Sequence, residues 1–159
     1  MLFLGVDPGA VSGAFAVLDE STLLMVDDLP TIASGKLKWV DGPALLSRIL
    51  EIRAGKPMVA MVERQSARPG QGLSSTFTSA CAFGALLATL QIAGCSLELV
   101  TPVVWKSATG AIGRDKGASL DAARRLYPEA SLDRKRDHGR AEAILLARYA
   151  LRQRNTPKL

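Results

Sequence analysis

Apolar residues fall in short blocks along the first third of this chain, each closed by a polar or turn-forming group. Leu2-Phe3-Leu4-Gly5-Val6 runs straight into Asp7 and is stopped by Pro8-Gly9. Ser12 to Leu18 is small and apolar, and Thr22 to Val26 resumes the pattern after Asp19-Glu20-Ser21, which predicts three strands in an antiparallel meander. Pro30 to Lys38 reads as a loop. Asp41-Gly42-Pro43 opens a helix to about Arg53, with Leu45, Leu46, Ile49 and Leu50 as its apolar stripe. Pro57 to Val62 predicts a fourth strand ending in Glu63, followed by a Gly, Pro and Ser-rich connection over Ser66 to Ser75, expected to be a mobile loop. Thr76 to Ala93 carries no charge and is apolar on nearly every side. Such a segment predicts a central buried helix, or one that also supplies a subunit interface. Ser96 to Val100 gives a fifth strand, Thr101-Pro102 a helical turn, Ser119 to Leu126 a helix, and Gly139 to Arg152 the last helix.

That order implies an α/β fold, a five-stranded mixed sheet flanked by helices on both faces. Right-handed crossovers set the first and fourth strands side by side, so Asp7 and Glu63 meet at one edge of the sheet. With 159 residues, the expectation is a single domain over 1–159. The first apolar run is too short for a signal peptide or membrane span, which predicts a cytoplasmic protein with no membrane partner. Cys81 and Cys95 have no Cys-x-x-Cys spacing and read as reduced core residues.

Charge changes the picture in the second half. The formal net charge is +5, and Lys106, Arg114, Lys116, Arg124, Arg125, Arg134, Lys135, Arg136 and Arg140 all follow Trp105. A basic half bearing an acidic site suits a polyanionic substrate held by cations and cut with metal. Burying a carboxylate alone costs several kcal/mol, so an acid that directly continues an apolar strand must be solvated, paired or metal-bound. A third acidic cluster lies at Asp137-His138-Gly139-Arg140-Ala141-Glu142. His138 and Glu142 share a helical face, Asp137 stands at the N-terminal cap, and Glu142 is embedded among Ala141, Ala143, Ile144 and Leu145. Carboxylates with one imidazole and no thiolate favour Mg²⁺ or Mn²⁺ over zinc.

Gly5-Val6-Asp7-Pro8-Gly9 with Ser12-Gly13, then Val62-Glu63-Arg64, Lys106, Lys116 and His138-Gly139-Arg140-Ala141-Glu142-Ala143 together resemble the RuvC-type Holliday junction resolvases of the ribonuclease H-like superfamily, most of all those of bacteriophages. The resemblance spans nearly the whole chain in matching order. It implies a homodimer that binds branched DNA and nicks two opposed strands with two divalent ions per site. Asp7 would bridge the ions, Glu63 and Glu142 would complete the acid set, and His138 would stand where the family places a further acid or histidine. Gly139 occupies the position three before Glu142 where many relatives carry aspartate, and Asp137 is then the candidate replacement. Lys106 and Lys116 match phosphate-contacting lysines, Lys116 also being a candidate for neutralising charge in the transition state. Arg64, Arg68 and Arg140 are further candidates for phosphate contact. Phe77 is read first as a core anchor of the buried helix, and otherwise as an aromatic that stacks on an unpaired base.

Three rival readings remain at this level. A Gly-x-Asp-x-Gly turn also opens the actin and sugar kinase ATPases, but that fold needs two such halves. A branched-DNA-binding module without catalysis would need no intact acids. A ribonuclease H acting on RNA:DNA hybrids shares the acids, whereas the lysines and the charge-free helix favour a two-fold symmetric junction enzyme.

Overall fold

The computed structural model describes residues 1–9, 13–35, 37–67, 69–111 and 117–155. Seven strands and five helices follow in the order β1 (Leu2–Asp7), β2 (Ala14–Asp19), β3 (Thr22–Asp28), β4 (Thr31–Ser34), β5 (Leu37–Val40), α1 (Gly42–Arg53), β6 (Met58–Glu63), α2 (Leu73–Ile92), β7 (Ser96–Val100), α3 (Pro102–Thr109), α4 (Gly117–Leu126) and α5 (His138–Asn155). The main sheet has the order β3-β2-β1-β6-β7. β1, β2 and β3 form the antiparallel meander, while β6 runs parallel to both β1 and β7. The five-stranded mixed sheet of the sequence reading is therefore the observed one.

Strand alternation divides the core in two. Phe3, Ala14, Ala16, Leu18, Val59 and Met61 face α3, α4 and α5. Leu2, Leu4, Val6, Phe15, Val17, Ala60 and Val62 face α1 and α2 through Leu45, Ile49, Ala82, Leu86 and Leu90. Both faces are thus covered, which explains why β1, β2 and β6 are apolar throughout rather than alternating.

Gly5 sets how close α5 lies to the sheet. A Cβ there would fall 2.1 Å from the Ala143 carbonyl oxygen and 2.3 Å from the Ala147 nitrogen, both backbone atoms that cannot swing aside. Gly5→Ala should therefore push α5 off β1 and cost about 2–3 kcal/mol, measured by urea denaturation; a cost under about 0.5 kcal/mol would contradict this packing. Gly13 serves the β1–β2 turn in the same way. Its N–H donates to the Gly9 carbonyl, its carbonyl accepts from Leu29, and an added Cβ would strike the Gly9 oxygen at 2.2 Å.

Four expectations need correction. The Pro30 to Lys38 segment is not all loop: β4 and β5 pair as a small hairpin turning at Gly35, whose φ of +59° is left-handed. Only four residues long each, these strands are shorter than the pattern needed to be seen. α2 starts at Leu73 and is not buried all round; Ala82, Leu86, Thr89 and Leu90 are its buried residues. Phe77 is 66% exposed and anchors no core. Cys81 lies exposed on α2 and Cys95 is half-buried, neither in a disulfide. Small residues on the outer face of α2 made it look like a core helix. By length and composition alone it would also pass for a membrane-crossing helix, yet it packs on α1, β5 and β7.

Candidate active site

The acids converge for a reason visible in the register. Val6 pairs with Val62 across the parallel β1–β6 ladder, so Asp7 and Glu63 are the next step along both strands. Side chains alternate along a strand, so Asp7 shares a face with Phe3 and Gly5, and Glu63 shares one with Val59 and Met61. That is the face covered by α5, which carries Glu142. Three carboxylates from three elements therefore point into one region.

Their mutual repulsion shows on Asp7. Burial, and then the negative charges of Glu142 and Glu63, push its carboxyl from an ordinary 3.8 up to about 8, with Lys106 offsetting part of the rise. Two of the acids are held by other partners. Glu63 is 7% exposed and its Oε2 accepts a 2.9 Å hydrogen bond from the Trp105 indole Nε1. Glu142 Oε1 lies 2.7 Å from Lys106 Nζ and accepts from Ser119 Oγ at 3.3 Å. Lys106 Nζ also sits 5.1 Å from the centroid of the fully buried Trp105 ring, a cation–π contact. The bond from Trp105 to Glu63 had no signal in the sequence. Ser119 was likewise missed; a buried serine on an otherwise small-residue helix face carries no motif.

His138 opens α5 one turn before Glu142, and its Nδ1 is buried with no hydrogen-bond partner among the described residues. Among the described residues, no three of the Asp, Glu, His or Cys side chains form a ready-made metal cluster. Crowded carboxylates repel one another, and here Trp105 holds Glu63 while Lys106 holds Glu142. The donor set fits a hard divalent ion: oxygen ligands, one orphaned imidazole nitrogen, and an acid whose ionised form is disfavoured by burial and by its neighbours.

Two predicted site residues stand elsewhere. Asp137 is 1% exposed, and its Oδ2 accepts from the Arg134 backbone N–H at 2.7 Å while Oδ1 accepts from Arg134 Nε at 2.6 Å. With both oxygens accepting from Arg134, it ties down the start of α5. Arg140 donates to Asp28 and Asp27, at 2.7 and 2.8 Å, so its guanidinium is committed inside the protein and not offered to DNA. Asp28 also receives both terminal nitrogens of Arg134, at 2.9 and 2.7 Å. These partners lie more than a hundred residues apart, and no spacing rule links them. Arg64 is exposed just beyond Glu63, and Lys116 and Arg68 lie outside the described residues.

The connection after β6 borders a cleft of about 660 Å³ against α2, with Gln65, Ser66, Gln71, Thr76 and Ser79 among the described residues on its walls. Phe77 stands beside Trp39 of the hairpin and Cys81, around a smaller apolar hollow of about 260 Å³.

No known family profile matches the chain. It is similar to the chloroplastic Holliday junction resolvase MOC1 of Chlamydomonas reinhardtii, 37% identical over 86 residues. That match takes in 52% of this chain and spans only about a tenth (10%) of the relative's length. Among solved structures, T. thermophilus RuvC in complex with a Holliday junction substrate superposes with a TM-score of 0.69 at 19% identity, over 98% of this chain and 96% of that one. The chain has the RuvC fold. A second Thermus thermophilus RuvC structure matches over the same shares, with a TM-score of 0.59 and 19% identity.

Proposed function

We propose that this protein is a metal-dependent endonuclease that resolves four-way or other branched DNA by paired, symmetric nicks. The observation that carries this reading is the meeting of Asp7, Glu63 and Glu142 on one face of a RuvC-fold sheet, with Asp7 pushed up to about 8 by burial and by the other two. The chloroplastic relative is a Holliday junction resolvase and the RuvC neighbour is bound to a Holliday junction substrate, which points the same way.

Asp7, Glu63, Glu142 and His138 are the residues that would hold Mg²⁺ or Mn²⁺, two ions per site. Ions held there would supply an activated water and would stabilise the leaving 3′ oxygen, giving a 5′ phosphate and a 3′ hydroxyl. The protein's own groups do the rest. Asp7 would be kept ionised by bound cations, whose charge would offset the burial and the carboxylate repulsion that raise its carboxyl. Lys106, a cation already beside Glu142 and Asp7, is placed to neutralise charge on the scissile phosphate, and Lys116 is assigned a similar role. Arg64 and Arg68 follow Glu63 along the chain and would touch the backbone of the strand being cut. Phe77, exposed beside the hairpin, is free of core duty and suited to stack on a base unpaired at the junction centre. The work would take place in the cytoplasm, in a bacterial or phage-infected cell.

Paired nicks need two sites, and α2 offers the surface for a second copy. Cys81, Gly84, Ala88 and Ile92 are exposed and fall at helical spacing on its outer side. Small residues there let two helices approach closely. An added Cβ at Gly84 meets nothing within 4 Å, so Gly84→Arg is tolerated by the fold itself. It should convert the homodimer to a monomer in sedimentation and turn paired nicks into single ones. A variant that stays dimeric would move the interface elsewhere.

The reading as a whole is tested with a labelled immobile four-way junction, a fork and a linear duplex, each with Mg²⁺ and with EDTA. Metal-dependent nicks confined to branched DNA are expected; binding without cleavage under every divalent ion would leave only a DNA-binding module.

A further inference from the structure

We propose that Trp105 is a positioning residue for Glu63, holding the acid in the orientation in which it meets metal; this rests on the metal-nuclease reading above. The geometry begins in the β6–β7 ladder. Glu63 pairs with Val100, and the Arg64 N–H donates to the Val100 carbonyl, so the strand that fixes Glu63 from the side also launches α3. Pro102 sits in the first turn of α3, and the Trp105 N–H donates back to the Thr101 carbonyl. One turn into the helix, the indole therefore lies back over the end of β6.

Trp105 is fully buried, and its Nε1–H can only donate. Its acceptor is Glu63 Oε2 at 2.9 Å, a bond between two groups shielded from water. A glutamate carries three side-chain torsions, and anchoring one oxygen removes most of that freedom before any ligand arrives. Hydrogen bonds of this kind to a ligating carboxylate commonly set metal affinity. The helix is braced in turn: Thr109 Oγ1 donates to the Trp105 carbonyl at 2.8 Å, and the next residue, Lys106, bonds Glu142 across the site. Adjacent residues of α3 thus touch the acids of β6 and α5.

Trp105→Phe keeps a buried ring and deletes the N–H. Calorimetric titration with Mg²⁺ of the wild type, Trp105→Phe and Glu63→Gln is the test. Weakening by about tenfold or more is expected for Trp105→Phe, and loss of the binding heat for Glu63→Gln. Wild-type affinity in Trp105→Phe would overturn the proposal, while absence of Mg²⁺ binding by the wild type would overturn the metal reading beneath it. Should Trp105→Phe not fold, Trp39→Phe leaves Trp105 as the sole tryptophan and its indole N–H as one resonance. That resonance should move saturably with Mg²⁺, at the midpoint of the binding heat, and should be displaced in Glu63→Gln. An indole signal indifferent to both would overturn the assignment.

Discussion

Asp7→Asn should be inactive in cleavage, retain junction binding, and in the absence of metal be more stable than the parent protein at pH 8. The activity loss, on the order of 10³-fold or more, follows from removing the acid that stands between Glu63 and Glu142. Binding survives because phosphate contacts supply most of the affinity for DNA. The stability gain follows from linkage. An unfolded chain ionises Asp7 near 3.8, whereas the folded one holds its proton to about 8. The folded state therefore binds the extra proton between these values, and its stability falls as pH rises through that window, by up to about 1.4 kcal/mol per pH unit. Above pH 8 the loss is complete. Asparagine carries no charge to bury, so the variant should show a flatter profile and gain on the order of a few kcal/mol at pH 8 without metal. Mg²⁺ should stabilise the parent by binding only its folded state and should do little for the variant. Urea denaturation at pH 5 and pH 8, with Mg²⁺ and with EDTA, checks all of this; equal pH slopes for the two proteins would contradict it.

The second large effect lies at the start of α5. Arg134→Met should cost about 3 kcal/mol, because it leaves the 1% exposed Asp137 only the more distant guanidinium of Arg140, 3.9 Å away. Asp28 keeps Arg140 in this variant. Hydrogen bonds from Arg134, and after them Arg140, hold the Asp28 carboxyl well below the usual carboxylate range. A depressed acid contributes stability above its unfolded value near 3.8, and that contribution disappears as pH falls further. The parent should thus lose stability steeply below about pH 4, and the variant less steeply. His138 and Glu142 sit on the turn this cluster anchors, so Mg²⁺ binding should weaken alongside. A loss under about 1 kcal/mol in urea would mean that the cluster is ornamental surface charge.

Legibility in the sequence followed the physics of each feature. Asp7 and Glu63 could be read because each ends an apolar strand, where a carboxylate has no cheap alternative, and because parallel neighbours share register. Glu142 could be read from its apolar surroundings on a helix. Asp137 was ambiguous for a related reason: capping and metal ligation ask for the same residue type at the same place, and its contacts to Arg134 have no signal in the sequence. Arg140 misled because charge says nothing of direction, and its partners Asp27 and Asp28 sit at the far end of the chain. The outer face of α2 was misjudged since Gly84, Ala88 and Cys81 suit a core and a close helix contact equally well. The role of Trp105 was hidden because a long-range indole–carboxylate bond has no periodicity to betray it.

A supercoiled plasmid with an extruded cruciform tests the central claim most directly. Incubated with the protein and Mg²⁺, it should be converted to linear molecules, because both opposed strands of the junction are cut before the complex falls apart, and EDTA should prevent any change. Nicked circles alone, or linear product from a plasmid lacking the cruciform, would contradict the account of a symmetric junction-resolving nuclease.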